Sequence, residues 1–143
     1  MAASVGRTFR SPTTYVVTRE KIREFVDAIG APEPAHRDPA AARELGHADV
    51  IAPPTFAAAM SIDGVDVLRQ NPEIGIDHRR AVHAAQRYTY LRPICAGDEL
   101  TCSATIVERL DRSSAVWIIF EMTFETVAGE CVAMARVTLA ARP

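Results

Sequence analysis

From Ala81 onward the chain alternates apolar and polar residues with little interruption, and this pattern constrains its fold more than any other feature. The segments "AVHAAQRYTYLRPI", "DELTCSATIVERL", "SAVWIIFEMTFETV" and "ECVAMARVTLAA" repeat with period two and are rich in β-branched and aromatic residues. They predict four long strands. In the first, Arg87, Thr89 and Leu91 share one face, with Tyr88 and Tyr90 on the other. The separators "DRSS" and "AGE" fit turns. Strands joined this tightly pair antiparallel, and such a sheet must bury its apolar face against another element.

The preceding residues supply that element. "TYVVT" reads as a short strand ending at Thr18, a helix N-cap, with Glu20 suited to the positive helix start. Ile22, Phe25, Val26 and Ile29 follow at i, i+3, i+4 and i+7, one apolar stripe, and Gly30 suits the position just past the helix. Asp38, Pro39 and Gly46 punctuate a second, short helix. Pro53 and Pro54 suit the first turn of a third helix running toward Leu68. Its residues Phe56, Ala57, Ala58, Ala59, Met60 and Ile62 are apolar nearly all round, so it is expected to be buried on more than one side. "NPEIGIDHRR" reads as a loop. With 143 residues and no internal repeat or linker, one domain spanning 1–143 is expected. The predicted class is α+β, an antiparallel sheet wrapped around a long central helix.

Composition narrows the function. A formal net charge of −2 argues against nucleic-acid binding. No apolar run approaches the roughly 18 residues that span a bilayer, and "MAASVGRTFRSPTTY" lacks the apolar stretch of a secretory leader. Cys95, Cys102 and Cys131 are an odd set without C-x-x-C spacing, which points to reduced thiols in a cytoplasmic protein. His36, His47, His78 and His83 have no metal-ligand spacing with an acidic third member, so neither metal nor cofactor is expected.

The order "TREKIREFVDAIGAPEPAHRDPAAARELGHADVIAPPTF", followed by "YTYLRPICAGDEL", resembles the MaoC-like hotdog family. More narrowly it resembles the short, single-hotdog FAS1-like subunits of bacterial (3R)-hydroxyacyl-thioester dehydratases. The likeness runs from about Phe9 to Ala140. It implies a hotdog fold that dimerises into a double hotdog, and a substrate that is an acyl-CoA or an acyl chain on a carrier protein. The dimer would be either a homodimer or a heterodimer with an intact catalytic subunit.

The family's catalytic loop reads Gly-Asp-x-Asn-Pro-x-His. Here Gly30 and Pro34 match, His36 stands at the histidine, Ala31 replaces the aspartate and Glu33 the asparagine. Active members also begin the central helix with His-Gly, whose glycine N–H donates to the thioester oxygen. Pro53 and Pro54 stand there, and proline has no N–H. Dehydration needs a proton acceptor for the α carbon, a donor for the leaving hydroxyl and stabilisation of charge on the thioester oxygen. Histidine suits the first two roles at neutral pH.

His36 is therefore an acid–base group, the relic of one, or an exposed or capping loop residue. Pro32 and Pro34 stiffen the chain around Glu33, which is not expected to replace the acid missing at Ala31. Thr55 and Phe56 still offer backbone amides for a ligand. Phe56, Met60 and Ile62 line an acyl tunnel or are simply helix core. Arg79, Arg80, Arg87 and Arg92 form a basic rim for a phosphopantetheine or an acidic carrier, or are solvated strand-end residues. Asp98 is expected to hold a turn through its side chain, and Cys95 and Cys102 to fill the core. Trp117, Phe120 and Phe124 are core or dimer surface. The preferred reading is a non-catalytic acyl-binding partner of an intact subunit. One alternative is a self-sufficient enoyl-thioester hydratase using His36, Glu33 and a water. A weaker one is a thioester-binding or thioesterase-like protein using Asp63 or Asp66.

Overall fold

The computed structural model describes residues 5–61, 71 and 74–142. Four long strands lie where the alternation places them: β3 (Ala81–Tyr90), β4 (Glu99–Asp111), β5 (Val116–Thr126) and β6 (Cys131–Ala141). All neighbouring pairs are antiparallel, in the order β1-β4-β5-β6-β3. Two short strands precede them. β2 (Tyr15–Val16) is what remains of the expected "TYVVT" strand, and β1 (Thr8–Arg10) carries too little pattern to be read from sequence. Both pair with β4.

The inner face of this sheet is the core. Leu100, Ala104 and Ile106 of β4, Ile118, Phe120, Met122 and Phe124 of β5, and Val137 and Leu139 of β6 are all buried. Trp117 lies 38% exposed and is not part of that core.

Helix α1 (Arg19–Ile29) begins as its sequence dictates, with the Thr18 side chain accepting from the Lys21 N–H. It ends at Gly30, whose φ of 67° lies in the left-handed region that favours glycine. Ile22 and Val26 are fully buried and Phe25 packs against the core, whereas Ile29 is 49% exposed, so the packed stripe stops one turn early. Helix α2 (Pro39–Glu44) starts with Asp38 accepting from the Ala40 N–H.

The third helix starts later than its prolines suggest. Pro54, Thr55 and Phe56 are turn residues and the helical stretch occupies 57–61. The amides of Phe56, Ala58 and Ala59 each donate three residues back, to Pro53, Thr55 and Phe56, which makes the opening turn tight and non-α. Ile62, Asp63, Asp66 and Leu68 lie outside the described residues. Phe56 is buried at the junction of the elements, its ring edge-on to Tyr15 at 6.2 Å and to Phe25 at 5.4 Å.

Candidate functional site

Backbone geometry after α1 decides where the candidate side chains point. The residues "PEPAH" are not a loose loop. Pro34–His36 form one turn of 3-10 helix, in which the His36 N–H donates to the Glu33 carbonyl and the Arg37 N–H to that of Pro34. Side chains three apart eclipse in a 3-10 turn, so Glu33 and His36 project side by side. The Glu33 Oε2 lies 3.8 Å from the His36 Nε2. The turn thus brings the carboxylate near the histidine, a neighbour the sequence reading did not weigh when it asked only whether Glu33 could replace the acid missing at Ala31.

His36 is 7% exposed, so of the exposed or capping alternatives only the capping one stands beside the acid–base readings. Its Nδ1 lies 2.7 Å from the Ile51 carbonyl. A carbonyl only accepts, so Nδ1 carries a proton, and in the neutral form of the ring Nε2 is the acceptor. The contact is built from both sides, because the Ile51 N–H donates to the Ala35 carbonyl. Ala52 and Ala96 in turn clip residues 50–52 to Ile94–Ala96 through the Ala52 N–H to Ile94 and the Ala96 N–H to Val50. The Glu33 side chain is 61% exposed and 3.8 Å is too long for a hydrogen bond, so the pair is held loosely at the carboxylate end. Ala31 packs against the core and is not a wall of the cavity these residues face.

That cavity has a volume of about 530 Å³ and is mainly apolar, with Ile51, Ala52, Pro54, Leu91 and Ile94 in its wall beside Glu33 and His36. Tyr90, to which the sequence reading assigned no role, also lines it. Its hydroxyl donates to the Pro54 carbonyl. Burial, with Tyr88 beside it, pushes the phenol up to about 12. On the other side of the same turn, the Ser61 hydroxyl donates to the Ala57 carbonyl at 2.7 Å. Period two had already put Tyr88 and Tyr90 on one face of their strand, opposite Arg87 and Thr89. A buried tyrosine needs a partner for its hydroxyl, and that was the available signal.

Arg92 also lines the cavity, yet it has nothing left to offer a ligand. Its Nε donates to Glu130, one terminal nitrogen to the Pro93 carbonyl and Asp98, and the other to Asp98 and Glu130. Those contacts use all five guanidinium hydrogens. Asp98 is the turn residue expected, since its carboxylate also accepts from the Cys95 N–H at 2.9 Å.

The remaining expected contacts are dispersed. Arg87 is exposed and borders a separate groove on the outer face of the sheet with Glu121 and Arg136, because position 87 has the opposite parity to Tyr88 and Tyr90. Arg79 pairs with Asp77. Among the described residues, no basic rim is assembled around the cavity. Thr55 is exposed and outside its wall, and the Phe56 N–H is spent on Pro53. Phe56 and Met60, 1% and 2% exposed, are core rather than tunnel lining, because the tight opening turn points them at the sheet. Cys102 is buried filler, while Cys95 is half-buried. Among the described residues no cluster of three metal-ligating side chains exists, and no helix is long and apolar enough to cross a membrane.

Comparisons with known proteins agree with this architecture. Residues 3–135 match the family model described as the FAS1-like dehydratase domain region. A UPF0336 protein of Thermobifida fusca is 45% identical over 128 residues, covering 90% of this chain and 84% of the relative. A MaoC-like dehydratase superimposes with a TM-score of 0.88 at 30% identity over 98% of this chain, which spans only 42% of that longer protein. The C-terminally truncated HadBC (3R-hydroxyacyl-ACP dehydratase) complex of Mycobacterium tuberculosis gives 0.86 at 29% identity, covering 99% of this chain and 100% of the matched one.

Proposed function

Because the chain belongs to the FAS1-like dehydratase domain family and has its hotdog fold, we propose that it is the non-catalytic acyl-binding subunit of a (3R)-hydroxyacyl-thioester dehydratase. In this reading a partner hotdog with an intact aspartate and histidine performs the chemistry. The observation that carries the proposal is at the head of the buried helix. Pro54 has no N–H, and the Phe56 N–H is committed to Pro53. A thioester oxygen becoming negative needs aimed, uncommitted donors, and loss of one such donor costs on the order of 3 kcal/mol of barrier. The missing acid at Ala31 compounds that defect.

The apolar cavity and buried His36 nevertheless remain, and they suit holding an acyl chain beside a partner's site. Strand β3 ends the sheet and has no neighbour beyond it among the described residues. A ten-residue free edge offers backbone groups to a second sheet. The matched HadBC structure is itself a complex of subunits, which supports a heterodimer here.

Co-expression with an intact MaoC-like subunit tests the proposal. The two chains are expected to copurify, and hydration of a crotonyl thioester should require both. A lone homodimer turning over at rates typical of hydratases would refute it. A second reading, a self-sufficient hydratase, draws on the 3.8 Å approach of Glu33 to His36. It predicts activity of the chain alone that His36→Ala abolishes.

A further inference from the structure

The outer face of the sheet, away from the core and the cavity, carries a band of apolar side chains. Leu110 of β4 stands opposite Trp117 of β5, Trp117 opposite Ala140 of β6, and Ala140 opposite Val82 of β3. Opposite residues of an antiparallel pair share a face at about 5 Å, so these four form one row across four strands. Val82 is 62% exposed, and Trp117 and Leu110 are exposed as well. Farther along the same face, charge is divided by strand. Arg87 of β3 stands opposite Arg136 of β6, and Arg136 opposite Glu121 of β5. Glu108 of β4 joins this face through its pairing with Ile119. Cations thus occupy the β3–β6 half and carboxylates the β5–β4 half.

A face divided in this way is complementary to itself. We propose that it is an isologous interface between two copies of this chain, related by a twofold axis that runs parallel to the strands between β5 and β6. Half a turn about that axis keeps each row opposite itself and exchanges β3 and β6 with β4 and β5. Trp117 then meets Ala140 of the second copy, a large side chain against a small one, and Val82 meets Leu110. Arg136 meets Glu121, and Arg87 lies one row from Glu108. An acidic carrier or an anionic surface would be repelled by the two glutamates as much as attracted by the two arginines, whereas a second copy satisfies both signs. Four strands by four alternate residues cover about 500 Å² in plan. With side-chain relief that approaches the roughly 800 Å² per partner of a standard interface. The free edge of β3 is a different surface, so this contact is independent of the acyl-binding role and compatible with a catalytic partner along that edge.

Sedimentation equilibrium of the full chain at micromolar concentrations tests this. Val82→Asp places a charge in the apolar row at an exposed position and should halve the particle mass without altering the far-ultraviolet circular dichroism. Trp117 is the chain's single tryptophan, so fluorescence reads the same contact, and its emission should move to longer wavelength in Val82→Asp. Glu121→Arg alone and Arg136→Glu alone should each stay at the half mass, because like charges then face each other across the axis. Their equimolar mixture should regain the full mass, since both contacts again pair opposite charges, a recovery that a merely structural defect in either variant would not give. A mass and a Trp117 emission indifferent to Val82→Asp would leave the face to water or to another partner and overturn the proposal. A mixture that stays at the half mass would overturn it as well.

Discussion

Replacing Arg92 by methionine should cost stability through one carboxylate far more than through the other. The guanidinium meets Asp98 at 2.8 and 2.9 Å and Glu130 at 2.8 and 3.2 Å, so contact lengths alone would rank the pairs nearly equal. Solvent separates them. The Asp98 side chain is 14% exposed and that of Glu130 54%. Without Arg92, Glu130 is simply rehydrated, whereas Asp98 keeps its charge in a half-closed turn with the Cys95 N–H as its remaining donor.

Two charge-assisted hydrogen bonds to a mostly buried carboxylate would contribute up to about 3 kcal/mol. The Arg92 side chain is itself 31% exposed, so screening reduces the expected Arg92–Asp98 coupling to about 2 kcal/mol. For a chain of this length that is a fall in Tm of about 6 °C. A double-mutant cycle by urea denaturation with Arg92→Met and Asp98→Asn measures the coupling directly, and a parallel cycle with Glu130→Gln should give a clearly smaller value. Arg92→Lys should recover less than half of the loss, since an ammonium cannot span two carboxylates and a carbonyl. Additive Arg92 and Asp98 substitutions, or a Glu130 coupling as large as that of Asp98, would refute the reasoning.

Three further outcomes follow from the same structure. Arg19 hydrogen-bonds Asp49 at 2.7 and 2.9 Å and holds its carboxyl below the ordinary value of 3.8. Its stabilisation is therefore complete above that value and lost as the pH falls through the lower folded one. The stability gap between wild type and Asp49→Asn should close in acid urea titrations. Tyr90→Phe leaves the Pro54 carbonyl without its hydroxyl partner, at a cost of about 1 kcal/mol in the same assay. Because burial lifts the Tyr90 phenol from 10.0 to about 12, wild-type stability should also fall as pH rises through that interval, and Tyr90→Phe should remove part of that loss. Burial likewise pushes the Cys102 thiol to about 12, so Ellman's reagent at about pH 8 should modify it only after unfolding.

Much of the fold was legible because alternation is local. Strands β3 to β6 and the Thr18 and Gly30 caps are each decided by residues within a few positions of one another. The third helix was misplaced at its start, since proline identity shows where a helix may begin but not whether its first turn is α or 3-10. For the site, the resemblance to the MaoC-like family nominated His36 and Glu33 and marked the losses at Ala31 and Pro54. The sequence also nominated Phe56, Met60, Arg87 and Arg92, which the folded chain commits to the core, to the outer face of the sheet or to carboxylates.

By itself, then, the sequence determined the family, the sheet and the absence of an acid at 31 and of an N–H at 54, all properties of residue identity and short-range order. Only the tertiary structure decided that His36 is buried with its Nδ1 on Ile51, that Tyr90 reaches Pro54, and that Arg92 has no proton to spare. Each of these depends on which carbonyl or carboxylate lies within hydrogen-bonding distance. For His36 and Tyr90 the partners are 15 and 36 positions away, separations at which periodicity carries no information.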